Sequence, residues 1–283
     1  VTGYRLSLAI LHSASQSKNL MSKLALELTK KYKLISDQIE PGELLVILTE
    51  LERVLDADVE GDIVEFGCYS GTTSLFIQRL LIEHRKRTKR LTGVALESVL
   101  VQPGSTEQAV KKYGDASTGL VKPKMAKNLA VQDAPHLGRL GGARPVRLYV
   151  YDSFDGLPEK SKQDESPLGV DFKRGELRST KADFIHNFRK ANLPIPNNKK
   201  KWFHEVEDHE LPNKICFAFL DGDYYKSIRS SLSLVLPRMQ PGGVIIVDDY
   251  DNPALPGAKK AIESADLTQY KLRAPLSLAI VYI

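Results

Sequence analysis

The chain has 283 residues, 42% of them hydrophobic and 27% charged, enough to bury the core of one large α/β domain. No apolar run approaches the roughly 20 residues that a bilayer span requires, and a soluble, non-secreted, cytoplasmic protein is expected. The formal charge of +5 does not argue for nucleic acid: residues 99–146 carry seven Lys and Arg against three acids, yet Tyr113 is the single aromatic there, which leaves no stacking platform.

In chain order, the first sixty residues read as helices. Leu20, Leu24, Ala25 and Leu28 keep helical spacing, as do Leu44, Leu45, Leu48, Leu51 and Leu55 behind Pro41. They are expected to form an N-terminal cap or buttress over residues 1–60, with the main domain over residues 61–283. Asp62 to Cys68 reads as a short apolar strand, followed by a Tyr69-Ser70-Gly71 turn and a helix from about Thr72 to His84. LTGVALE, ending in Glu97, reads as a weak strand. Residues 99–146 hold six Gly and four Pro with little periodicity, the composition of an inserted loop. Further strands are expected at Arg147 to Tyr151, Ile215 to Leu220, Val244 to Val247 and Leu276 to Ile283. Strands alternating with helices predict an α/β fold, a doubly wound, mostly parallel Rossmann-like sheet that binds ligands at the carboxyl ends of its strands. Cys68 and Cys216 sit in apolar strand contexts, as buried free thiols of a reducing compartment do.

Three groups of residues carry chemistry. Glu65, Gly67, Cys68, Tyr69, Ser70 and Gly71 give E-x-G-x-x-x-G at a strand-to-helix turn. Glycines there let the backbone approach a ligand, and the acid suits a cationic or amino-acid ligand better than a phosphate. An acid at a later strand end can accept both hydroxyls of a ribose; Asp152, followed by Ser153, and Glu97 compete for that place. Asp155-Gly156 reads as turn chemistry. Finally Asp221, Asp248 and Asp249 follow two apolar strands, the second entered through Pro241-Gly242-Gly243. Parallel strands bring all three carboxylates to one rim, where they repel unless protonated or joined by a hard cation such as Mg²⁺. Asp223 is either a fourth ligand or the cap of a helix starting near Tyr225. His204 and His209, in WFHEVEDHELP, border either a cofactor or a substrate, or are ordinary loop histidines. Lys199-Lys200-Lys201 reads as a solvated loop.

The strings VEFGCYSGTTSLFIQ, YVYDSFDGLPE, GELRSTKADFIHNF, FAFLDGDYYKSI and PGGVIIVDDY, in that order, resemble the macrocin O-methyltransferase family over about Asp62 to Ile262. That resemblance implies a class I fold binding S-adenosylmethionine and Mg²⁺ and methylating sugar hydroxyls of natural products. It implies Asp221, Asp248 and Asp249 as metal ligands, with Asp221 and Asp248 at the chemistry. Asp152 is then the ribose contact, and Glu65 and Gly67 stand at the cofactor. The basic segment after Arg90 departs from the family pattern, which favours Asp152 over Glu97. The expected partner is a small-molecule acceptor, a sugar or other diol, with neither membrane nor nucleic acid; the sequence leaves room for a homo-oligomer without specifying one. Two rival readings remain: a glycosyltransferase using Asp221-Gly222-Asp223 as a D-x-D pair, and a binding protein that keeps the fold without turnover.

Overall fold

The computed structural model describes residues 22–100 and 145–283, with side chains at 22–89 and 145–283. The expected insertion therefore lies almost wholly outside the described residues. The chain divides into two compact units, one of residues 1–81 and 146–283 and one of residues 82–145.

The first unit is built on a seven-stranded sheet of order β3-β2-β1-β4-β5-β7-β6, formed by β1 (Asp62–Phe66), β2 (Leu148–Asp152), β3 (Asn197–Lys200), β4 (Ile215–Leu220), β5 (Met239–Val247), β6 (Lys271–Arg273) and β7 (Ala279–Tyr282). Strands β1 to β5 pair in parallel, and β7 runs antiparallel to both β5 and β6. Central strands must be apolar on both faces when helices cover both. In β4 this is literal: Cys216, Phe217 and Phe219 join one core while Ile215, Ala218 and Leu220 join the other.

The first core is closed by α1 (Lys23–Lys31), α2 (Pro41–Asp56), the start of α3 (Thr72–Leu100) and α4 (Lys181–Lys190). The second is closed by α5 (Tyr225–Val235) and α6 (Pro256–Glu263). The N-terminal helices thus share the sheet's own core: Leu44, Ile47, Leu48 and Leu51 are fully buried with Phe217 and Phe219. Ser22 caps α1 by accepting the Ala25 N–H at 3.0 Å, and Pro41 opens α2.

Two expectations need correction. LTGVALE is not a strand: α3 continues through it to Leu100, so Glu97 ends no strand. Its Leu and Ala favour helix, and its one β-branched pair is too sparse to override them. Lys199 and Lys200 lie in edge strand β3, which pairs with β2 from Tyr149↔Asn197 to Asp152↔Lys200. The backbone makes that strand while its side chains stay polar, as suits an edge. Among the described residues no helix is long and apolar enough to cross a membrane.

Candidate functional site

At the carboxyl end of β1 the chain turns sharply into α3. Gly67 adopts φ 85°, and a Cβ built there meets the Asp221 carbonyl oxygen at 1.7 Å; at Gly71 (φ 93°) it meets the Phe184 ring at 2.8 Å. Both glycines are thus required by the packing of the turn against β4 and α4. Asn187 of α4 donates to the Ser70 carbonyl at 3.0 Å, and Ser36 and Thr72 share a hydroxyl contact of 2.6 Å that ties the α1–α2 connection to the same turn.

Asp152, at the end of β2, braces the turn from the other side. Its Oδ2 accepts the Cys68 and Tyr69 N–H groups at 2.8 and 3.1 Å, and its Oδ1 accepts the Phe154 N–H at 2.6 Å. Three of roughly four acceptor positions on the carboxylate are used, so it has little left for both hydroxyls of a ribose. Glu65 lies beneath the turn with no exposure. One oxygen accepts the Ser74 hydroxyl, the other has no partner, and burial pushes its carboxyl up to about 8.

A cavity of about 860 Å³ opens over these strand ends. Of the residues expected at the cofactor, Gly67, Cys68, Tyr69, Asp152 and Ser153 line it; Glu65, Ser70 and Gly71 do not. The Ser70 hydroxyl is buried without a partner. Trp202, Phe203 and His204 form another part of the wall, whereas His209 is a surface residue, 75% exposed beside Glu207.

Asp221, Asp223 and Asp249 also line the cavity, and among the described residues they form the group whose oxygen atoms lie within 4.8 Å of one another. The expected trio contained Asp248 instead. Asp248 is 6% exposed, off the cavity wall, and its Oδ1 accepts the Asp249 N–H at 2.9 Å. Both residues lie past the end of β5, and Asp249 turns onto the cavity wall on left-handed backbone while Asp248 stays off it. Asp223 joins in its place. It does not cap α5, which begins with no side-chain cap of its own; the Tyr225 N–H is taken by Asp164 at 2.6 Å. Asp223 and Asp249 both hold left-handed backbone, φ 56° and 57°, as does Tyr69 at φ 49°. Asp tolerates that region better than most residues, and such strain collects at functional sites.

Burial and close carboxylates make this group hard to ionise. Asp221 and Asp248 are held well above the usual range, Asp223 is pushed up to about 8 by burial and by Asp249, and Asp249 to about 6 by burial, against the Asn252 amide that lowers it. An all-oxygen cluster that resists carrying its own charge fits a hard divalent cation. Missed from sequence were Asp37 and Gln38, for which no pattern existed, and Lys226 and Arg229 of α5.

A family model described as Macrocin-O-methyltransferase (TylF) matches residues 137–278. The chain is 29% identical over 117 residues to 8-demethyl-8-(2,3-dimethoxy-alpha-L-rhamnosyl)-tetracenomycin-C 4'-O-methyltransferase of Streptomyces olivaceus, which is 40% of this chain and 45% of that protein. It is 26% identical over 148 residues to mycinamicin III 3''-O-methyltransferase of Micromonospora griseorubida, 50% of this chain and 55% of that one. The chain thus spans about half the length of the curated relatives it matches. Among solved structures, the O-methyltransferase NovP superposes with TM-score 0.58 at 18% identity, covering 86% of this chain and 80% of that one. A calicheamicin methyltransferase superposes with TM-score 0.52 at 15% identity, covering 92% and 90%. These two show the fold, that of class I methyltransferases.

Proposed function

The chain belongs to the macrocin-O-methyltransferase family, and from that premise we propose an S-adenosylmethionine-dependent O-methyltransferase that acts on a hydroxyl of a sugar or other diol-bearing small molecule. The observation that carries this reading is the joining, in one cavity, of the Gly67 to Tyr69 turn and the Asp221, Asp223 and Asp249 cluster. The relatives named for methylating sugar positions support the acceptor class. The buried Cys68 and Cys216, neither of them in a disulfide, support a reducing, cytoplasmic setting.

When bound, the cofactor supplies the methyl group and a divalent cation such as Mg²⁺ supplies charge that makes a hydroxyl more acidic. The turn and Asp152 define the cofactor side: Asp152 fixes the Cys68 and Tyr69 amides, so the backbone there is rigid before any ligand arrives. Asp221, Asp223 and Asp249 would hold the cation, and they line the cavity that the acceptor enters. Holding both reactants over one rim supplies the proximity that methyl transfer needs. The acceptor proton goes to a carboxylate oxygen of this cluster or to a water beside it. The glycosyltransferase reading loses its support to the family match, although Asp221 and Asp223 do come together as a D-x-D pair would.

The test is calorimetry with S-adenosylhomocysteine, followed by methylation of a methyl rhamnoside with Mg²⁺, with EDTA, and with Asp249→Asn. S-adenosylhomocysteine binding is expected in all three, with transfer falling about 100-fold or more without the metal or its ligand. Absence of S-adenosylhomocysteine binding would sink the methyltransferase reading, and an undiminished rate in EDTA would sink the metal's part in it.

A further inference from the structure

The cavity wall is acidic except on one side. Asp37, Asp152 and Glu159 line it together with the aspartate cluster, whereas α5 contributes Lys226 and Arg229. These two cations stand three residues apart on one helix, so they are neighbours on one of its faces. Neither makes an ion pair or side-chain hydrogen bond among the described residues, although carboxylates lie along the same wall. The other cations around this end of the sheet behave differently. Lys199 and Lys201 pair with Glu210, Lys200 with Asp155, and Lys259 with Asp251. Ser227 and Ser230 add hydroxyl donors to the same stretch of wall.

The helix that presents these groups is fixed. Asp164, buried and 61 residues distant in sequence, accepts the Tyr225 N–H at 2.6 Å, and a Cβ at Gly222 meets Ser227 at 2.9 Å and Phe203 at 3.0 Å, so the start of α5 sits hard against the wall. The geometry points to a subsite for a phosphate group of the acceptor at Lys226 and Arg229, which makes the acceptor a sugar phosphate ester; this rests on the methyltransferase reading above. Two cations and two hydroxyls match a dianion with several acceptor oxygens better than a neutral glycoside, which offers neither cation an anionic partner. The same cavity wall carries the aspartate cluster, which takes the sugar's diol while the cations take its phosphate. The sugar is then methylated while still activated, ahead of the group-transfer reaction that consumes its phosphate ester.

The experiment is calorimetry on the full chain saturated with S-adenosylhomocysteine, with EDTA present so that no metal at the carboxylates reads the anion. The probes are glucose 1-phosphate, UDP-glucose and methyl glucoside. One or both phosphate esters should bind, the tighter of the two telling a monoester acceptor from a nucleoside-diphosphate sugar, and the neutral glycoside should bind at least about tenfold more weakly. Lys226→Gln and Arg229→Gln should each weaken the ester about tenfold, the size of one charged hydrogen bond, with Arg229→Lys recovering part of the loss and S-adenosylhomocysteine affinity unchanged throughout. Ester binding that is unaffected in the double Gln variant, or that is absent in a protein still binding S-adenosylhomocysteine, overturns the subsite. Failure of S-adenosylhomocysteine itself to bind overturns the reading beneath it, and the subsite with it.

Discussion

Glu65 lies in β1 with no exposure, one oxygen on the Ser74 hydroxyl and the other without a partner, and burial holds its carboxyl at about 8 against an ordinary 4.5. Below the lower value folded and unfolded chains are both protonated and the group contributes no pH dependence. Between the two values the unfolded chain gives up its proton and the folded one keeps it, so stability falls as pH rises, at roughly 1.4 kcal/mol per unit. Glu65→Gln removes this dependence. Thermal unfolding of the ligand-free protein in EDTA should therefore show the variant gaining on the wild type steadily from pH 5 to pH 8, and parallel curves would contradict it. At this scale the sequence was informative wherever a residue followed an apolar strand: Asp152, Asp221 and Asp249 all stand where strand ends place them. It was not informative about which of two neighbours turns inward. Asp248 and Asp249 are equivalent in the string, and only the left-handed backbone at Asp249 separates them.

The connection between β2 and α4 has one 3-10 turn (Lys162–Asp164) as its regular structure and forms one flank of the cavity through Leu157, Phe172 and Leu177. Asp164 is its anchor. It is 1% exposed, takes the Ser161 N–H at 2.8 Å and the Ser161 hydroxyl at 2.5 Å, and caps α5 through Tyr225. Asp164→Ala leaves those donors unpaired in a buried place, at a cost of about 2–4 kcal/mol. The melting temperature should drop by roughly 4–16 °C for a body of this size. Asp164→Asn, which keeps an acceptor oxygen for Tyr225, should lose less, and equal losses would show that the cap is not what matters. Regular elements were legible when they were buried: β1, β4 and β5 are apolar runs that only a covered sheet explains. Edge strands β3 and β6 were not, because NNKK and KLR have no buried face to leave a pattern. The α5 cap was equally hidden, since its acid comes from 61 residues away.

Across the whole molecule, the cavity draws its wall from residues 37 to 255, all of them within the unit formed by residues 1–81 and 146–283. Alternating strands and helices made that sheet and its ligand edge readable from sequence. The closeness of Asp37 and Gln38 to the turn was not, because it depends on α1 and α2 sharing the sheet's core rather than standing apart as a separate cap. A ligand that bridges such distant segments stabilises every element that must be in place to hold it. At 100 times its dissociation constant, S-adenosylhomocysteine should add about 2.7 kcal/mol to folding, which is roughly 5–10 °C in melting temperature for a body of this size. Asp152→Ala frees the Cys68, Tyr69 and Phe154 amides from their common acceptor, so the turn is no longer set before the ligand arrives. Differential scanning fluorimetry across a ligand titration should show the wild-type shift and most of it lost in the variant. A variant that melts lower but shifts as far as the wild type would mean that Asp152 contributes stability alone and has no part in shaping the cofactor's place.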